Sequence, residues 1–83
     1  MPQLRLKRVA EDQLAALPEQ VRDEIELALR RIEANPSEEG VELLGRWAGR
    51  WRKRVGGYRI IYRIRDNGRL VIVDAIRTRG EAY

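Results

Sequence analysis

Residues 51–83 read WRKRVGGYRIIYRIRDNGRLVIVDAIRTRGEAY, and this stretch decides the fold. Gly56-Gly57 is a good two-residue turn, and Asp66-Asn67-Gly68 contains Asn-Gly, the strongest short hairpin signal. Around these turns lie three strand-like segments, Arg50 to Val55, Tyr58 to Arg65 and Leu70 to Arg77. The expectation is three strands joined by two tight hairpins. The wholly apolar run Leu70 to Val73 suits a central strand covered on both sides.

Successive strand residues face opposite ways. On the middle strand Tyr58, Ile60, Tyr62 and Ile64 point one way, with Arg59, Ile61, Arg63 and Arg65 opposite. The apolar set must face the core, so the arginines face out. On the preceding strand Trp51 and Val55 join the core, which sends Arg50, Arg52 and Arg54 outward. Lys53 has core-side parity and reaches the basic face only if a bulge turns it; otherwise it snorkels or sits past the sheet edge. On the last strand, unbroken alternation groups Val71, Val73 and Ala75 with Arg77 as an apolar floor. It puts Asp74 on the helix side, where it wants a basic partner.

Upstream of the strands the pattern changes. Gln3 to Arg8 alternates, with Leu4 and Leu6 on one side and Arg5 and Lys7 on the other, as in a half-buried strand. Val9 to Leu17 begins with Glu11 and Asp12, suited to the positive end of a helix dipole, and Ala10, Leu14 and Leu17 share one face. Pro18 opens the strongest helix. Val21, Ile25, Ala28, Leu29 and Ile32 form its apolar stripe, and Asn35-Pro36 stops it. The two helices form a hairpin that can cover one sheet face. Ser37 to Gly49 holds a short apolar segment, Val41, Leu43 and Leu44, interrupted by glycines. Trp47 and Trp51 read as packing residues, with base stacking by Trp47 the alternative. The fold class is α+β in the order β-α-α-β-β-β, one small domain over 1–83, with the later strands an antiparallel sheet.

Charge is divided along the chain. Residues 1–44 hold six Lys/Arg and ten Asp/Glu, a net of −4; residues 45–83 hold eleven against three, a net of +8. A basic half points to a polyanion or an acidic partner. There is no cysteine and no histidine, which removes disulfides, thiolate metal sites and the commonest general base. No cofactor is expected. The start, MPQLRLKRVAED, lacks the apolar run of a signal peptide, and no segment approaches a membrane span, so no membrane partner and a cytoplasmic location are expected.

The segment R-V-G-G-Y-R-I-I-Y-R-I, from Arg54 to Ile64, resembles the R-x-G-x-Y-R-x-x-Y core of the RelE/ParE superfamily of toxin–antitoxin toxins. The closing R-x-R-x-E-x-Y, from Arg77 to Tyr83, is similar to that family's final motif. The resemblance implies a ribosome-dependent mRNA endoribonuclease, acting in the ribosomal A site by attack of a 2′-hydroxyl on the adjacent phosphate. It also implies a cognate antitoxin and a toxin–antitoxin hetero-oligomer. The family's roles fall on Arg50 and Arg52, Arg59, Arg77 and Tyr83. Of these Arg52, Arg59, Arg77 and Tyr83 are the catalytic candidates, with Arg50, Lys53, Arg54, Arg63 and Arg79 as RNA contacts.

Arginine forks suit phosphate oxygens. The proton acceptor stays open between Lys53, Glu81 and a ribosomal group, because arginine remains protonated. Tyr83 is a proton donor or a stacking platform. Two other readings stand beside this one: a ParE-like toxin that inhibits DNA gyrase, and a non-catalytic basic binding module.

Overall fold

The computed structural model describes residues 3–78. Its chain runs β1 (Gln3–Leu6), α1 (Arg8–Ala15), α2 (Glu19–Ala34), a short α3 (Pro36–Glu39), β2 (Val41–Glu42), β3 (Trp51–Val55), β4 (Tyr58–Arg65) and β5 (Leu70–Thr78). The five strands form one sheet in the order β1-β5-β4-β3-β2. The later strands are antiparallel, as the turn signals indicate. β1 instead lies parallel to β5, so the sheet is mixed and β5 is an interior strand, flanked by β1 and β4.

Local chemistry explains the boundaries. Pro18 sits just before α2, where its fixed backbone ends the preceding turn and its carbonyl accepts the first helical bond from the Arg22 N–H at 2.9 Å. The stripe on α2 lands as periodicity requires: Ile25, Ala28, Leu29 and Ile32 are buried against Ile60, Tyr62, Val71, Val73 and Ile76 of the sheet. Each fully buried isoleucine here contributes roughly 1.5–3 kcal/mol. The first hairpin closes through Gly56 and Gly57, with Val55 opposite Tyr58 and Gly56 at φ 59°. The second is longer, closing at Arg65 opposite Leu70, with Asp66, Asn67 and Gly68 all at positive φ.

β5 departs from simple alternation. Ile61 pairs with Ala75, but the next residue, Tyr62, pairs with Val73. Asp74 is therefore an extra residue, a bulge that reverses the parity of the strand. Before it, Val71 and Val73 face the helices; after it, Ile76 does. The expected floor of Val71, Val73 and Ala75 is thus corrected. Leu70, Ile72, Ala75 and Arg77 lie opposite Arg65, Arg63, Ile61 and Arg59 on the outer face. Asp74 also turns outward rather than toward the helices. On the side away from β4 the pairing with β1 ends at Leu6, and beyond it Gln13 of α1 serves instead, its Oε1 accepting the Ile76 N–H at 2.7 Å.

Tyr62 anchors the junction of helix and sheet. Its ring is fully buried, stacked on Trp51 at 6.3 Å, and its hydroxyl donates to the Pro36 carbonyl at 2.7 Å. Burial, with a smaller contribution from the Glu39 charge, pushes this phenol up from 10.0 to about 12. The folded chain therefore favours neutral tyrosine. That contribution is complete below pH 10 and is lost as pH rises toward 12. At about 1.4 kcal/mol per pKa unit the loss is on the order of 2–3 kcal/mol. Chemical denaturation between these pH values should show the native chain weakening faster than Tyr62→Phe. Equal slopes would contradict the burial of this hydroxyl.

Candidate nucleic-acid interface

The hairpins bring four arginines onto the sheet face away from the helices. Arg54, Arg59 and Arg77 form one row across β3, β4 and β5, since Arg54 pairs with Arg59 and Arg59 with Arg77. Directly opposed residues have Cβ atoms about 4.5–5.5 Å apart, and like charges so placed repel. An anion lying across the row removes that repulsion. Arg52 stands in the next row, opposite Ile61, which is opposite Ala75. Ile61 and Ala75 are buried without joining the helix-side core, so they form the apolar floor beside the arginine row.

A second cluster lies beyond that floor, around Asp74. Arg63 grips its carboxylate in a fork: Nε donates to Oδ2 at 3.0 Å and Nη2 to Oδ1 at 2.8 Å. Lys7 Nζ approaches Oδ1 at 3.3 Å. Arg50 Nε lies 3.7 Å from Oδ2, an ionic approach too long for a hydrogen bond, and this buried N–H has no acceptor among the described residues. The Arg50 guanidinium also stands over the Trp47 ring, 5.7 Å from its centre. Asp74 is the single acidic residue of β3, β4 and β5, and it holds the basic cluster together.

The sequence-based candidates divide accordingly. Arg52, Arg54, Arg59 and Arg77 share one region of the outer face. Arg50 and Arg63 belong to the Asp74 cluster. Lys53 is on the other side: the β3–β4 register is uninterrupted, and its Nζ pairs with Glu39 at 3.4 Å. The bulge needed to turn it outward is absent from β3, so the structure separates Lys53 from the arginines. Arg79, Glu81 and Tyr83 lie outside the described residues. Lys7 and Asp74 were missed as site residues; the visible signal for Asp74 is a lone carboxylate inside the apolar run VIVDAI. Among the described residues no group of acidic, His or Cys side chains could hold a metal ion. No described helix is long and apolar enough to cross a membrane.

Known proteins share this layout. The chain superposes on the toxin–antitoxin complex RelBE2 from Mycobacterium tuberculosis with a TM-score of 0.83 and 26% identity, over 92% of this chain and 95% of that one. It matches the isolated RelE toxin of E. coli at TM-score 0.81 and 21% identity, over 95% of this chain and 85% of that one. For the YoeB/ParE toxin from Agrobacterium tumefaciens the values are 0.78 and 21%, over 94% and 98%. No curated protein sequence matches the chain. The family model for the ParE toxin of type II toxin–antitoxin systems matches residues 4–83, from the first strand through the closing R-x-R-x-E-x-Y, and the chain therefore belongs to that toxin family.

Proposed function

We propose that this toxin is a ribosome-dependent mRNA endoribonuclease. The observation that carries this reading is the row Arg54–Arg59–Arg77 beside Arg52 and an apolar floor. In the proposed reaction a ribose 2′-oxygen attacks the adjacent phosphorus and the P–O5′ bond breaks. The products are a 2′,3′-cyclic phosphate and a 5′-hydroxyl, and the leaving oxygen takes up a proton. Negative charge grows on the phosphate oxygens in the transition state. Arg59 and Arg77 meet that charge with bidentate N–H forks, while Arg52 and Arg54 hold the strand. Tyr83 is the proposed proton donor. The ribosome orders the RNA and completes the proton transfer.

The same basic face is the proposed seat of an acidic, partly helical antitoxin segment that folds on binding and excludes RNA. RelB–RelE assemblies from Mycobacterium tuberculosis, Methanococcus jannaschii and E. coli are toxin–antitoxin complexes, which supports a hetero-oligomer here as well.

Inhibition of DNA gyrase is a second reading. One observation favours it: among the described residues the strands β3, β4 and β5 offer a single carboxylate, Asp74, and it is already ion-paired. Primer extension on cellular mRNA after brief induction separates the two. Cuts phased to codons are expected, together with cleavage in vitro that rises by orders of magnitude when programmed ribosomes are added. A DNA-damage response without cuts would overturn the ribonuclease reading.

A further inference from the structure

We propose that the pocket lined by Ala48, Gly49, Arg50, Arg63, Ile64 and Arg65 is a second phosphodiester site, distinct from the arginine row. Its ligand is the backbone of RNA. The proposal rests on reading the outer face as RNA-binding. The pocket has a volume of about 410 Å³. It shares no lining residue with the cavity at the first hairpin, which is formed by Arg54, Gly56, Gly57, Tyr58 and Arg59. Arg59 and Arg63 are four residues apart on β4, which places the two sites about 13–14 Å from each other.

The pocket is pre-ordered. Asp74 fixes the Arg63 plane with hydrogen bonds from Nε and Nη2, so most of the entropy cost of aiming this long side chain is met within the fold. Of the five N–H groups of Arg63, three remain for a ligand. Arg50 is held between Asp74 and the Trp47 ring, and it keeps a buried Nε–H with no hydrogen-bond acceptor among the described residues. Arg65 is exposed at the pocket rim. Three cations meet one carboxylate at Asp74, leaving excess positive charge at the site.

On β4 and β5 the row Ile61–Ala75 separates the Arg59 row from the Arg63 row, which repeats the character of a single strand, in which charged phosphates alternate with apolar base surface. An acidic helix carries its charges on a 3.6-residue period, whereas RNA carries one on every nucleotide of a continuous backbone, which favours RNA as the occupant. The phosphodiester can belong to the mRNA or to ribosomal RNA, and the experiment separates them.

Full-length toxin is titrated by anisotropy with 2′-O-methyl oligoribonucleotides of increasing length, which lack the attacking hydroxyl. Affinity should rise about tenfold at one length step, with the salt slope steepening by roughly 0.7 per phosphate gained. Arg65→Gln leaves Asp74 and its partners intact and should remove part of that step; Arg63→Ala should remove more. Arg59→Ala should weaken every length and keep the step. A wild-type chain without the step, whose Arg65→Gln form loses affinity for ribosomes free of mRNA, assigns the site to ribosomal RNA. A smooth gain with length, unchanged by Arg65→Gln, together with unchanged ribosome affinity, overturns the proposal. So does an Arg65→Gln effect seen only on capture of the antitoxin. None of these measurements needs cleavage. A chain showing the step yet cutting no mRNA refutes the ribonuclease reading alone, and codon-phased cutting with inert pocket variants refutes the second site alone.

Discussion

Arg77→Ala is expected to slow single-turnover cleavage on mRNA-programmed ribosomes by about 10²- to 10³-fold at saturating toxin, about 3–4 kcal/mol of transition-state stabilisation. Arg59→Ala should match it, because the two face each other across β4 and β5 and are proposed to address the same phosphate. Saturation matters to the design. It hides losses of ground-state binding and exposes losses of the chemical step. Arg63→Ala should therefore look nearly normal under these conditions, while needing more toxin to reach them and showing a shallower salt dependence. Both catalytic variants should unfold close to the native chain, since neither side chain belongs to the helix-side core. A saturated rate for Arg63→Ala as low as for Arg59→Ala would refute this division of labour along β4. An Arg77→Ala toxin with unchanged rate would refute the role given to the last strand.

Gly40→Ala is expected to be the most damaging single methyl group in the chain. Gly40 has an ordinary extended backbone, so conformational freedom is not its reason. Space is: a Cβ there would run into the Tyr62 hydroxyl and would stand 2.9 Å from the Arg52 carbonyl oxygen. The hydroxyl cannot retreat without giving up its buried bond to Pro36. Overpacking of this kind costs about 1–3 kcal/mol. Losing a satisfied buried hydrogen bond adds about 1–3 kcal/mol. A loss of about 3 kcal/mol or more is expected by urea denaturation with the m-value unchanged. Tyr62→Phe removes the oxygen in the way, so Gly40→Ala should cost less in that background. The rescue should be partial, because the Arg52 carbonyl remains. Additive losses would show that Gly40 and Tyr62 do not oppose each other.

Much of this was legible in the chain itself. The α2 stripe at Ile25, Ala28, Leu29 and Ile32 is buried as a 3.6-residue period demands. The outward placement of Arg52, Arg54 and Arg59 follows from β3 and β4 alternating without interruption. Arg77 also faces out, but the residues expected beside it do not. Counting by twos assumes an unbroken ladder, and nothing in VIVDAI declares that Asp74 stands outside it. The partner sought for Asp74 proved to be three cations from separate parts of the chain, Lys7, Arg50 and Arg63, which no local pattern can assemble. The parallel pairing of β1 with β5 is equally non-local. The space at Gly40 depends on Tyr62 packing across the sheet, so a lone glycine in the sequence says nothing of it.

The bulge also means that inside and outside on β5 are set by arithmetic. Exchanging Ile72 for valine, or Arg63 for lysine, changes a contact and leaves the plan of the strand alone. Removing a single codon at Asp74 would restore unbroken alternation, with Val71, Val73 and Ile76 still inward and Ala75 and Arg77 still outward. What the shortened strand would lose is the carboxylate that gathers Lys7, Arg50 and Arg63. The extra residue thus sets a carboxylate on the outer face without changing the place of Arg77. Its loss would scatter the basic cluster and leave the row Arg54–Arg59–Arg77 in place.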